Sequence, residues 1–371
     1  MEQISLFDMI EGGEQYKPIK SNDWKWKFSD YPKEKNGLKV FSCFACGGGS
    51  TMGYKLAGCD VIGCCEIDKK MNEVYVANHH PKHNFLMDIR DFNNLEDLPS
   101  DLYDLDILDG SPPCTTFSMS GDREDSWGKK KKFREGQKEQ TLDDLSFVFI
   151  DTVKKLMPKV VIMENVEGIT LGEAWKYVQR IYEKFNLVGY DVHHWLLKGE
   201  DMGVPQKRHR CFFVATRKDL HIKPMSLNMR FNYLPVTYGE IKDGNGPEVT
   251  PETKLLLIEA REDEAILSAA WNRLHGNGKY KRTRFNSVLN HNRDVMATIT
   301  AGHCCAFDYE NKRYVSKNDM IHSQTFPEDF NFVRESYAMV SYVCGMSVPP
   351  VMIKRIVTRL IEEGVFDYKT K

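Results

Sequence analysis

The sequence predicts an α/β protein in which a doubly wound, mainly parallel sheet, covered by helices on both faces, is joined to a smaller domain. Three observations carry this. Short apolar strands alternate with helical stretches from Leu38 onward, polar or reactive residues recur just past the strand ends, and the alternation stops after "RCFFVATR" (210–217). With 371 residues the chain can bury the core of such a sheet and still build a second body.

Taken in order, the first 37 residues are polar, lack a period and contain "GG" and "YPKEKNG", which reads as a flexible tail (1–37). "LKVFSCF" is the first strand, a glycine-rich turn follows, and "TMGYKLAG" begins a helix. "DVIGCCEID" (strand), "KKMNEVYVANH" (helix), "HNFLMDI" and "LYDLDILDG" (strands), "LDDLSFVFIDTVKKLM" (helix) and "KVVIMENV" (strand) continue the pattern. Residues 38–217 thus form the large domain. Residues 218–310 mix Pro, Gly, Asn and basic residues and read as a small separate domain, and 311–371 return to the large one. The last helix, "VPPVMIKRIVTRLIEEG", starts on prolines and stops before a glycine, as helix ends prefer.

The bulk numbers narrow the function. Lys and Arg total 51 against 53 Asp and Glu, so a nucleic-acid surface must come from local clustering. No secretory leader opens the chain and no apolar run approaches the roughly 20 residues that cross a bilayer, so we expect no membrane partner and a cytoplasmic location. Ten cysteines without a secretory signal read as free thiols. Cys43 and Cys46 form a C-x-x-C, with Cys64 and Cys65 on the next strand. A structural zinc site usually pairs two spaced knuckles, so these are taken as small buried residues and no metal is expected.

Four stretches carry chemistry. "FACGGGSTMG" (44–53) is a glycine loop between strand and helix, and an acid, Glu66, closes the next strand. This suits any adenosine-containing cofactor and does not by itself separate NAD from S-adenosylmethionine; Met52 breaks the dinucleotide spacing read from Gly47. In "DILDGSPPCTTFS" (106–118) two prolines end a strand and stiffen the seat of Cys114, as a nucleophilic thiolate needs. "ENV" (164–166) ends another apolar strand on a carboxylate. "GVPQKRHR" (203–210) supplies Arg208 and Arg210 on alternate residues of a strand beginning, both facing one side. In doubly wound sheets ligands sit beyond the carboxyl ends of the strands, where these residues gather.

In this order, and followed by "CGMSVPPVM" (344–352), these stretches resemble the DNA (cytosine-5) methyltransferases, from about residue 38 to about residue 365. The resemblance implies a Rossmann-like, S-adenosylmethionine-dependent methyltransferase fold with a target-recognition domain. It implies that Cys114 adds to cytosine C6, that Glu164 meets N3 and the exocyclic amine, and that Arg210, with Arg208 in support, serves O2 and the backbone. For S-adenosylmethionine it implies Phe44, Ala45 and the loop Gly47, Gly48 and Gly49 as floor, Glu66 as ribose ligand and Ile67 as adenine-stacking residue. Asp88 and Ile89 would line the adenine edge, Pro112 and Leu145 the walls, and Ser347 and Val348 the C-terminal side. Because C6 is buried in the stack of a duplex, the resemblance also implies base flipping, the device by which methyltransferases reach a target inside double-stranded DNA.

The run "SWGKKKKFREGQK" suits a loop that closes on double-stranded DNA, with Lys129 and Lys130 on phosphates. Arg273, Lys279, Lys281, Arg282 and Arg284 of the small domain are the candidates for DNA contact. Two positions depart from the family pattern: Cys46 stands where glycine is usual, and Met346 where asparagine is usual. "QISLF", Gln3 to Phe7, resembles the peptide by which bacterial proteins dock on the sliding clamp. A monomer is expected. A tRNA cytosine-5 methyltransferase and a catalytically silent DNA-binding member are the alternatives; the sizeable middle segment favours DNA, and the intact Cys114, Glu164 and Arg210 favour activity.

Overall fold

The structure, a computed structural model, describes residues 18–113, 144–275, 287–301 and 305–367. In chain order its strands and α-helices are β1 (Lys39–Cys43), α1 (Gly49–Leu56), β2 (Asp60–Glu66), α2 (Lys69–His79), β3 (His83–Leu86), α3 (Ile89–Asn94), β4 (Ile107–Gly110), α4 (Leu145–Leu156) and β5 (Val160–Val166). There follow α5 (Trp175–Leu187), β6 (Tyr190–Lys198), β7 (His209–Arg217), α6 (Tyr238–Ile241), α7 (Pro251–Glu259), α8 (Leu267–His275), β8 (Ser287–Asn290), β9 (Cys305–Asp308), β10 (Arg313–Tyr314), α9 (Lys317–Ser323), α10 (Tyr337–Met346) and α11 (Pro350–Glu362).

Seven strands form one sheet in the order β3-β2-β1-β4-β5-β7-β6. The first five are parallel, and β7 runs antiparallel to both β5 and β6. From β1 the chain steps outward to β2 and β3, then returns to β4 on the other side, so the order reverses between β1 and β4. A crevice opens at the carboxyl ends there. The doubly wound expectation therefore holds. The hairpin partner β6 and its helix α5 are the elements that sequence patterning overlooks, because an edge strand reading "YDVHHWLLK" is only half-buried and shows no clean alternation.

Each face of the sheet has its own core. Phe41, Leu108, Val161 and Phe213 point toward α3, α4 and α5, and meet Phe92, Phe149 and Val178. Val40, Ile107, Ile162 and Phe212 point the other way, onto Tyr54 of α1 and Val351, Ile353 and Ile356 of α11. This parity sets which strand-end residues share a face. The prolines of the last helix do begin it, and α11 packs against α1 so closely that a Cβ on Gly53 would fall 2.4 Å from the Pro350 carbonyl oxygen.

Three domain boundaries move. The tail reading fails for residues 18–37: Trp26 is buried, its Nε1 donates to the Thr325 carbonyl at 2.8 Å, and Trp24, Phe28 and Tyr31 pack around the same cluster. Aromatic residues at 24, 26, 28 and 31 give this polar segment an apolar side, which stabilises docking although the average composition is hydrophilic. The small body has its own core of Val249, Leu257, Leu267, Ala270, Leu289 and Phe307 around the sheet β10-β9-β8. Leu227 and Met229, however, belong to the core of the large sheet, and β10 pairs with β9 beyond residue 310. The small body thus begins and ends later than composition implied.

Candidate active site

β5 and β7 bring two of the candidate residues, Glu164 and Arg210, together. In their antiparallel register Val166 faces Arg210 and Glu164 faces Phe212, so Glu164 and Arg210 are diagonal neighbours on the face shared with Ile162 and Phe212. Arg210 Nε lies 2.8 Å from Glu164 Oε1, and both side chains are nearly enclosed. Burial pulls the Arg210 guanidinium below its ordinary value, and the Glu164 carboxylate opposes that effect. Next to Glu164, Asn165 donates from Nδ2 to the Pro112 carbonyl at 3.4 Å. The end of β5 is thereby tied to the proline pair that precedes Cys114. Asn165 does not stand out in the sequence; its one signal is an amide at the end of an apolar strand, which the fold buries almost completely.

Arg208 is brought to the same edge but is otherwise engaged. Its Nη1 donates to the Ile299 carbonyl (3.3 Å) and its Nη2 to that of Gly345 (3.1 Å), while burial, then the neighbouring Arg210, push the guanidinium well below its ordinary value. Supporting Arg210 at a substrate oxygen is therefore not the role these contacts describe. Arg208 brackets three chain segments, because two backbone carbonyls that end inside the protein need a donor. Gln206 does the same nearby, giving Nε2 to Ser323 O and Gln324 Oε1 and taking the Ile299 amide on Oε1.

At the switch point the cofactor candidates surround one loop. Glu66 ends β2 with its carboxylate turned back on the chain, accepting from the Cys46 amide at 2.8 Å and the Asp68 amide at 2.7 Å. Ile67 beside it is 37% exposed, an apolar surface next to an acid. Asp88 caps α3 by accepting from the Arg90 amide at 2.9 Å, and Ile89 is almost wholly buried. Phe44 packs on Phe149, while Ala45 and Pro112 are buried, as is Leu145, the first residue of α4. Ser347 and Val348 follow α10 and lie against the loop, and Ser347 Oγ is buried with no hydrogen-bond partner among the described residues.

The glycines themselves answer to the protein's interior. Gly48 has φ +91°, and a Cβ there would fall 2.0 Å from His79 Nε2; Cβ atoms on Gly47 and Gly49 would strike Val343 and the Val348 carbonyl at 2.7 Å and 2.2 Å. The expected close approach is thus made first of all to α2 and the C-terminal segment. His79 lies beneath the loop, buried between Tyr75 and Phe28, and desolvation drives its pKa down to about 3, so it is neutral there. Cys46 has φ +48°, a left-handed backbone, and both it and Met346 pack against the same cluster. The two departures from the expected pattern therefore border one cluster.

A further buried group belongs to this edge. Asp109 of β4 accepts from Ser42 Oγ (2.6 Å) and Tyr54 OH (3.1 Å), and burial pushes its carboxyl up to about 7. Its signal in the sequence is an acid inside an apolar strand, "ILDG". Arg273, expected on DNA, instead donates Nε to Glu264 Oε1 (2.9 Å) and Nη2 to the Glu259 carbonyl (2.6 Å), joining α8 to the end of α7. Cys114, Lys129, Lys130, Lys279, Lys281, Arg282, Arg284 and the Gln3–Phe7 peptide lie outside the described residues. Among the described residues no group of three or more His, Cys, Asp or Glu could hold a metal, and no helix is long and apolar enough to cross a membrane.

Known structures share this architecture. A putative DNA modification methyltransferase encoded within an E. coli prophage matches with a TM-score of 0.59 at 21% identity, over 88% of this chain and 99% of that one. Spodoptera frugiperda DNMT2 matches with a TM-score of 0.61 at 15% identity, over 88% of this chain and 100% of that one. The molecule thus has a Rossmann-like α/β fold. Its family follows from sequence: C-5 cytosine-specific DNA methylase describes residues 38–362, and the chain belongs to that family, the DNA cytosine-5 methyltransferases. The Type II methyltransferase M.NgoPII of Neisseria gonorrhoeae is 27% identical over 352 residues, 86% of this chain and 94% of that protein. M.FnuDI of Fusobacterium nucleatum, also a Type II methyltransferase, is 33% identical over 205 residues, 55% of this chain and 53% of that protein.

Proposed function

We propose that the protein modifies a specific site in double-stranded DNA as the methyltransferase of a Type II restriction-modification pair or a related phage or orphan system, using S-adenosylmethionine and a transient bond from Cys114 to C6 of a flipped-out cytosine. The observation that carries this reading is the pairing of Glu164 with Arg210 at the carboxyl edge of the sheet, tied through Asn165 to the prolines that precede Cys114.

Cytosine C5 is a weak nucleophile. Addition of the Cys114 sulfur to C6 makes C5 enamine-like, and negative charge grows on N3 and O2. A proton from Glu164 neutralises N3, and Arg210 offers its guanidinium to O2, so the pair that holds itself together without a base opens to hold the ring. S-adenosylmethionine would supply the electrophilic methyl group. Phe44, Glu66, Ile67 and Asp88 are the residues that would hold it, and a buried Ser347 hydroxyl with no partner among the described residues, beside the glycine loop, fits a polar ligand there. A base, for which water suffices, then takes the C5 proton, and the electrons of that bond re-form the C5–C6 double bond and expel the Cys114 thiolate.

The covalent step is tested with a duplex carrying 5-fluorocytosine at the target, where the fluorine blocks the final elimination. We expect a denaturant-stable protein–DNA adduct, absent from Cys114→Ala; an adduct that persists in Cys114→Ala contradicts the assignment. The peptide Gln3–Phe7 is further read as a sliding-clamp ligand. Binding to a bacterial clamp that is lost when Leu6 and Phe7 become alanine is the expected outcome, and no such binding removes it.

A further inference from the structure

Asp109 sits on the same sheet face as Glu164 and one strand away. β4 and β5 pair in parallel with Asp109 opposite Ile162, so Glu164, two residues on, is the diagonal neighbour, about 7–8 Å off. The carboxylate is fixed by hydroxyls from two elements, Ser42 of β1 at 2.6 Å and Tyr54 of α1 at 3.1 Å, with Ser50 of α1 acting on it as well. Cys43 of β1 and Tyr75 of α2 also feel its charge, and Glu164 is the acid that faces it from β5. None of these groups is a cation. The two hydroxyls reach different carboxylate oxygens; an asparagine would accept one on its oxygen and donate its amide to the other, which a hydroxyl can accept, so this shell does not by itself require a charge.

Resting on the cytosine-methylating reading of Glu164, we propose that Asp109 is a positioning residue whose negative charge, held behind Glu164, favours the neutral, proton-donating form of that acid when the base arrives. The Glu164 charge makes ionisation of Asp109 costlier in this desolvated edge, and the effect is mutual, while Arg210 pairs with Glu164 from the other side. At a separation of about 7–8 Å the mutual effect on proton affinity is on the order of ten-fold. Asp109 moves no proton itself; the proton that reaches N3 leaves Glu164. Burial places the Asp109 titration at about 7, so the bias is present on the alkaline side of neutrality and absent on the acid side.

Two measurements test this. The first follows the Asp109 carboxyl carbon by NMR as pH is raised, in the wild type and in Glu164→Gln. Coupling is reciprocal, so removing the Glu164 charge should move the Asp109 midpoint down by close to one pH unit; an unmoved midpoint overturns the proposal whether or not the protein methylates DNA. The second measures single-turnover methyl transfer across about pH 5 to about pH 9. Wild type should show an inflection near neutrality, Asp109→Asn should lose it and fall on the order of ten-fold behind above it, and Tyr54→Phe, which removes one donor to the ionised form, should shift the inflection upward. An inflection retained in Asp109→Asn, or unshifted in Tyr54→Phe, contradicts the role. A wild type that transfers no methyl group to cytosine defeats the functional reading instead, and the titration then decides alone.

Discussion

Glu164 and Arg210 each complete the other as an enclosed ion pair, and that is why neither can be removed singly without cost. Arg210→Met leaves a carboxylate enclosed without its partner, and we expect a stability loss of about 3 kcal/mol with at least a hundred-fold loss of methyl transfer, read by denaturant titration and by tritium incorporation. Asp109 makes a prediction of its own. Its pKa is raised from 3.8 to about 7, so below about pH 4 both folded and unfolded chains carry the proton and its contribution is fully present. As pH rises toward about 7 the unfolded chain ionises first, and stability on the order of 4 kcal/mol is lost. Asp109→Asn should flatten this slope in denaturant titrations between about pH 4 and about pH 8; an equal slope in both proteins contradicts the assignment of the titrating group.

The glycine loop shows how one element is held by others. Gly48→Ala adds a Cβ against His79 at a positive φ, and a loss of more than about 2 kcal/mol in thermal or chemical unfolding is expected. His79→Ala in the same chain should recover part of it, since the ring contact is relieved while the backbone strain remains. At Cys46, where φ is +48°, Cys46→Gly should change stability by less than about 1 kcal/mol and Cys46→Val should clearly destabilise, because a β-branched side chain tolerates that backbone least. Much of this element is legible in the sequence. Glu66 and the loop glycines stand out because a strand, a glycine run and a following acid have a shared geometry. His79 does not, because a histidine near a helix end carries no mark of the loop that will lie on it. Asp109 and Asn165 are likewise visible as letters, but only the register of β4, β5 and β7 shows that they flank Glu164.

For the molecule as a whole, the sheet is legible because parallel strands buried on both faces spell nearly continuous apolar runs, while β6 is not because an edge strand hides one side only. The joins between bodies are the least legible. They rest on single polar side chains such as Arg208, whose donors reach Ile299 and Gly345, and on Trp26, whose ring ties a polar arm to Thr325. Arg208→Ala strands two interior carbonyls, so a loss of about 3 kcal/mol is expected, with faster proteolysis near residues 296–301 than in the sheet. Methylation of cytosine at C5 by this edge of the sheet is the claim on which the other expectations rest. Base-resolution mapping of 5-methylcytosine in DNA from cells expressing the protein tests it most directly. The expected result is 5-methylcytosine confined to one sequence context and lost in Glu164→Gln; cytosines left unmodified by the wild type, or a mark that Glu164→Gln leaves intact, would contradict it.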